Sequence, residues 1–176
     1  MKNSNIRFIT RTALILAVVV AIQMIGRTLP YNNFIVGPLV NACLLIATAM
    51  LGLGGGLIIS ILSPFTSLIN NHAPVAAALM MFAPVIAAGN FIFILSYYFV
   101  RKWNGIGGVI LGAVLKFGFL LAGIRIFLKV VSFPKFEKAL LTLFSVPQLI
   151  TALVGGALAI AVIKALQKNM EMHIKD

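Results

Sequence analysis

The chain has 176 residues, 61% of them hydrophobic and 10% charged, with a mean hydropathy of +1.11. That composition excludes an ordinary soluble domain, and the length fits a single domain. The net charge of +11 does not imply a nucleic-acid partner, because Lys and Arg cluster at the ends of apolar segments, where anionic lipid and the positive-inside bias put them.

Most apolar runs approach the roughly twenty residues a helix needs to cross about 30 Å of hydrocarbon. The expected class is therefore all-α: a polytopic membrane protein with six transmembrane helices. The first span is read over 10–26, behind a basic lead of Lys2, Arg7 and Arg11. That lead mimics a signal peptide, but the apolar run continues to Ile25 with no small-x-small site before Pro30, so an uncleaved span is expected. A polar loop over 27–33 precedes the second span at 34–51. Gly52, Gly54, Gly55 and Gly56 then predict a tight turn into a short third span at 57–69, marginal in length for a crossing and carrying Pro64.

Residues 70–74, Asn-Asn-His-Ala-Pro, have loop chemistry. The fourth span is read over 75–100 with a kink at Pro84, the fifth over 106–128 and the sixth over 139–163. Counting Lys and Arg near the span ends, Lys2, Arg7, Arg11, Arg101, Lys102, Lys164, Lys168 and Lys175 lie on one side. Arg27, Arg125, Lys129, Lys135 and Lys138 lie on the other. The richer side is cytoplasmic by the positive-inside rule, which puts both termini there.

Lys116 sits mid-way along the fifth span, about 15 Å from its start at 1.5 Å per residue. A charged group at that depth costs roughly 2.5–3.5 kcal/mol on insertion scales and usually faces a bundle interior or a wet cavity. The only acidic residues, Glu137, Glu171 and Asp176, lie outside the apolar runs. A buried charged Lys116 would thus draw its counter-ion from a bound small molecule. The competing readings are a neutral amine, or a side chain that snorkels to a helix end.

Asn41, Asn90, Gln148 and Thr151 also fall inside spans. Each must find a helix partner, a water or a ligand, because an unpaired amide in hydrocarbon costs several kcal/mol. An interhelical hydrogen bond is the ordinary fate of such a group. Depth places Gln148 in the layer of Lys116 and Asn41 in the outer half, and makes Asn90 the weaker pocket candidate. Cys43 lies in an apolar segment and reads as a small core residue. His72 reads as a loop residue, since no second His, Cys or Asp stands at ligand spacing, and no metal site or cofactor is expected. The membrane segments hold no Asp, Glu or His, so a hydrolytic or phosphoryl-transfer enzyme is not expected.

Ala13, Ala17 and Ala21 recur every fourth residue on one helix face, a spacing that lets a second helix approach closely. Gly52/Gly56, Gly108/Gly112 and Ala152/Gly156 are similar stripes, and packing within the chain is the plain reading of all four.

Six spans, with Arg11 just ahead of this alanine stripe, resemble the substrate-binding S components of energy-coupling factor (ECF) transporters. Gly37-Pro38-Leu39-Val40-Asn41, Gly89-Asn90 and the run from Pro147 to Leu153 add to the likeness, which covers nearly the whole chain. The resemblance implies a bacterial plasma-membrane protein that binds a vitamin-like nutrient with high affinity. It implies partners too, a transmembrane coupling subunit and two cytoplasmic ATPases, with Ala13, Ala17 and Ala21 facing the coupling subunit. The loop holding Asn32 and Asn33 would gate the pocket, and Asn71 and His72 would help to line it. Metal-binding members carry an N-terminal histidine that this chain lacks, so an organic substrate is expected. Lys116, with Arg125 nearer the outer surface, favours a carboxylate or phosphate, and Phe117, Phe119, Phe127 and Phe144 favour an apolar or ring-containing body. A stand-alone secondary carrier is the alternative, and a structural membrane protein whose polar groups only join helices is a third reading.

Overall fold

A computed structural model of the chain describes residues 2–26, 28, 32–69, 76–131 and 133–173. Within them the protein is helical: α1 (Lys2–Gly26), α2 (Asn32–Ile69), α3 (Ala76–Val100), α4 (Gly105–Val130), α5 (Glu137–Leu143) and α6 (Val146–His173). Five stretches are long and apolar enough to cross a membrane, which identifies a multi-pass membrane protein. Helices satisfy this composition because hydrocarbon offers a backbone N–H or C=O no partner outside its own segment.

The second and third expected spans form the single element α2, broken only at Gly52, whose φ of 75° and ψ of −172° leave the helical region. The glycine-cluster turn is thus one residue, and Gly54, Gly55 and Gly56 are helical. The chain folds back at that residue. A Cβ built on Gly56 would overlap Thr48 Oγ1, eight positions earlier, a separation of about 12 Å along a straight helix. The first limb of α2 therefore lies beside the second.

Two further boundaries differ from expectation. Asn32 and Asn33 open α2 instead of lying in a loop. The sixth span is interrupted, because α5 stops at Leu143 and α6 starts at Val146. The break falls just before Pro147, where a missing N–H and the restriction on the preceding residue favour a helix start. At the other end of α4, the Asn104 side chain accepts a 2.9 Å bond from Gly107 N and caps the helix.

The α2 hairpin contacts α1, α3 and α6, and α4 contacts α3, α5 and α6. Two apolar clusters result. One, toward Gly52, gathers Leu44, Leu45, Ile59, Phe93, Ile94, Ala113 and Ala159. The other, toward α5, gathers Ala78, Phe82, Leu120, Ile124, Leu140 and Phe144. The ring of Phe82 meets Phe144 edge-on at 4.7 Å and Phe127 at 5.3 Å, which fixes α5 against the bundle. Along the buried face of α4, Lys116 falls between Ala113 of the first cluster and Leu120 of the second.

Candidate functional site

Nine polar side chains are buried among the described residues, and they divide into two kinds. Thr12, Thr48 and Ser60 bond carbonyls of their own helices, on Phe8, Leu44 and Leu57, at 2.7–2.9 Å. They cost the bundle little and point to nothing. Gln23, Asn41, Ser63, Asn90, Lys116 and Thr151 line a single cavity of about 200 Å³, with Thr151 also donating to Gln148 O of its own helix at 3.2 Å.

The helices aim these groups at one layer. Of the α2 residues on the cavity, Asn41 is the deepest on the first limb and Ser63 the deepest on the second. Asn90 holds the same position on α3 and Thr151 on α6, and α4 contributes Lys116 alone. The floor is therefore polar. Above it Val36, Val40, Leu68, Leu79, Ile86 and Phe144 make an apolar wall, and Asn33 and Ser67 stand toward the rim. This combination of apolar lining with a few convergent polar groups is what small-molecule sites share.

Lys116 is 3% exposed, so it neither reaches lipid nor snorkels to a helix end. Its Nζ donates to Asn41 Oδ1 at 2.6 Å and lies 5.4 Å from the centroid of the Phe93 ring. Those contacts leave two of the three N–H donors of a charged amine without a hydrogen-bond partner among the described residues. Close helix packing sets this pair: a Cβ on Gly155 would stand 2.6 Å from Asn41 Cβ, so only glycine lets α6 approach α2 here. Across the floor, Gln23 Nε2 donates to Ser63 O at 2.9 Å, Thr66 Oγ1 donates to Gln23 Oε1 at 2.9 Å, and Asn90 Nδ2 reaches Ser63 Oγ at 3.4 Å.

Of the residues singled out in the sequence, Lys116, Asn41, Asn90, Gln148, Thr151 and Asn33 line the cavity. Asn90, ranked lower on depth, is 4% exposed and belongs to the floor. Gln148 is half-buried and donates to Leu143 O at 3.3 Å, across the α5–α6 break. Arg125 does not join this group. It is exposed, in a separate depression with Glu137, Lys138, Thr142 and Ser145, because its place on α4 turns it to the outside of α5. Asn71 and His72 lie outside the described residues, as does the side chain of Asn32. Gln23 and Ser63 are additions that sequence reasoning missed. A carboxamide within the first span was a usable signal for Gln23, whereas nothing distinguished Ser63 from a serine bonded to its own helix.

The small-residue stripes separate in the same way. A Cβ on Gly108 would stand 3.3 Å from Tyr97 Cα and one on Gly112 2.9 Å from Phe93 O, and Gly156 is buried against Val109. Gly56 is buried beside Thr48 and Ile94. Those stripes serve contacts within the chain. Ala13, Ala17 and Ala21 are all exposed, so theirs does not. Among the described residues no three His, Cys, Asp or Glu side chains gather where they could hold a metal. Comparison of the chain with protein-family profiles, curated proteins and solved structures found no match.

Proposed function

We propose that this protein is the membrane-embedded capture subunit of an ATP-driven importer for a vitamin-like small molecule. It would work with a transmembrane coupling subunit and cytoplasmic ATPases, as the resemblance to ECF S components implies. The observation that carries the reading is the polar floor of the cavity. Six buried side chains from five helices converge there, and of these only Thr151 bonds its own helix, as the three other buried polar groups among the described residues do. Polar groups that served only to join helices would have no reason to surround a space.

The alanine stripe supports the partner half of the proposal. It is the small-residue face that the fold leaves unpacked, and in lipid such faces are where helices associate. We place the protein in a bacterial plasma membrane with both termini cytoplasmic and six crossings. A straight helix of 38 residues would measure about 57 Å, nearly twice the hydrocarbon core, and the reversal at Gly52 divides it into two limbs of crossing length.

Affinity purification of the tagged chain from its native membranes tests the proposal. The expected result is recovery of one membrane subunit with ATPases, lost on Ala17→Leu while the variant keeps its thermal stability. Solute uptake by vesicles holding this chain alone, unaffected by Ala17→Leu, would instead identify the stand-alone carrier.

A further inference from the structure

The geometry points to a ligand with a single carboxylate and no cationic group, held with the carboxylate down against Lys116 and its apolar body toward the rim. This rests on the capture reading and narrows it to a substrate class.

Charge balance excludes the alternatives. The cavity floor has one basic group, Lys116, and its other polar groups are neutral: Gln23, Asn41, Ser63, Asn90 and Thr151. A carboxylate would bring the buried charge to zero. A phosphate monoester carries about −1.5 to −2 at neutral pH and would leave an uncompensated negative charge at mid-membrane depth. A second cation could absorb it, but Arg125 and Lys138 lie in the other depression, on the far side of α5. A ligand ammonium fares no better, because among the described residues no acidic side chain lines the cavity.

Polarity is graded along the cavity, and that sets the orientation. The polar side chains of Lys116, Asn90 and Thr151 occupy the deepest layer, with Lys116 holding spare N–H donors, and the wall above is Val36, Val40, Leu79, Ile86 and Phe144. An apolar body left at the floor would leave the remaining N–H groups of Lys116 without an acceptor, while a carboxylate at the wall would face mainly hydrocarbon side chains and, toward the rim, only the neutral Asn33 and Ser67. A volume near 200 Å³ limits the body to less than the usual size of a drug-like ligand, whose pockets run from about 300 Å³ upward.

The test is to purify the protein from cells grown on rich medium, release what it holds, and identify the molecule by mass spectrometry. Lys116→Met and Asn41→Asp are treated identically. The second change keeps the shape of Asn41 but gives the ammonium an internal counter-ion, so the fold is preserved and the anion is expelled. The expected result is a monocarboxylic acid without phosphate or amine, reduced by roughly tenfold or more in both variants, the loss of one hydrogen bond to a charged group. A phosphorylated, dicarboxylic or cationic molecule, or an acid retained in full by folded Asn41→Asp protein, overturns the inference and leaves the capture reading intact. Wild-type protein that releases nothing beyond a mock-membrane control overturns both.

Discussion

Gly155 and Gly118 are both helical glycines, yet their surroundings are opposite. A Cβ at Gly155 would overlap Pro38 O and stand 2.6 Å from Asn41 Cβ, while one at Gly118 meets nothing within 4 Å. Gly155→Ala should therefore force α6 off α2, cost about 1–3 kcal/mol as overpacking, and move Asn41 away from Lys116. Gly118→Ala should gain up to about 1 kcal/mol, because alanine loses less freedom than glycine in a helix. Thermal unfolding in detergent reads both, and equal melting temperatures for the two variants would mean that α2 and α6 are not held as close as described. At this scale the sequence was legible wherever a polar residue was anomalous against hydrocarbon, as with Lys116, Asn41 and Thr151. It was silent on where an ordinary residue would point. Arg125 was grouped with Lys116 by proximity in sequence, but nine positions along a helix carry a side chain about 180° around the axis.

Helix existence was readable from apolar run length alone, and each expected span has a helical counterpart. The punctuation was read less well. Four glycines in five positions suggested a loop, but three of them remain helical and the whole reversal falls on Gly52. No composition rule distinguishes the one that must leave the helix, because the choice depends on how the two limbs pack. The break between α5 and α6 was missed for a related reason: the run from Ala139 to Ile163 is predominantly apolar despite Thr142, Ser145, Gln148 and Thr151, so averaged hydropathy hides a two-residue interruption that Ser145 and Pro147 mark only locally. Gly52 tests this directly. Its φ and ψ belong to a region that only glycine occupies readily, so Gly52→Ala should cost about 1–3 kcal/mol even though the new methyl group would have open space. Gly54→Ala, whose nearest neighbour would be Phe8 Cζ at an ordinary 3.8 Å, should be tolerated. A melting temperature for Gly52→Ala matching that of Gly54→Ala would show that the bend does not need this backbone conformation.

For the molecule as a whole, the proposed six crossings make a prediction about sides. With Cys43 replaced by Ala, single cysteines at Ser4 and Gly54 should react with a membrane-impermeant thiol reagent only from the cytoplasm, and one at Lys135 only from outside. Labelling of Ser4→Cys and Gly54→Cys from opposite faces would refute the six-span arrangement.

Gln23 has a consequence that reaches beyond the pocket. It belongs to α1, the helix with the unpacked alanine face, and its carboxamide ties that helix to α2 through Ser63 O and Thr66 Oγ1. The same carboxamide borders the ligand space. On the proposed capture reading, an occupant that competed for those bonds would loosen or shift the strut on which a partner would dock, and loaded and empty protein would present different faces to the membrane. That one amide would, on the same reading, let a membrane partner docked on α1 register whether the cavity is filled.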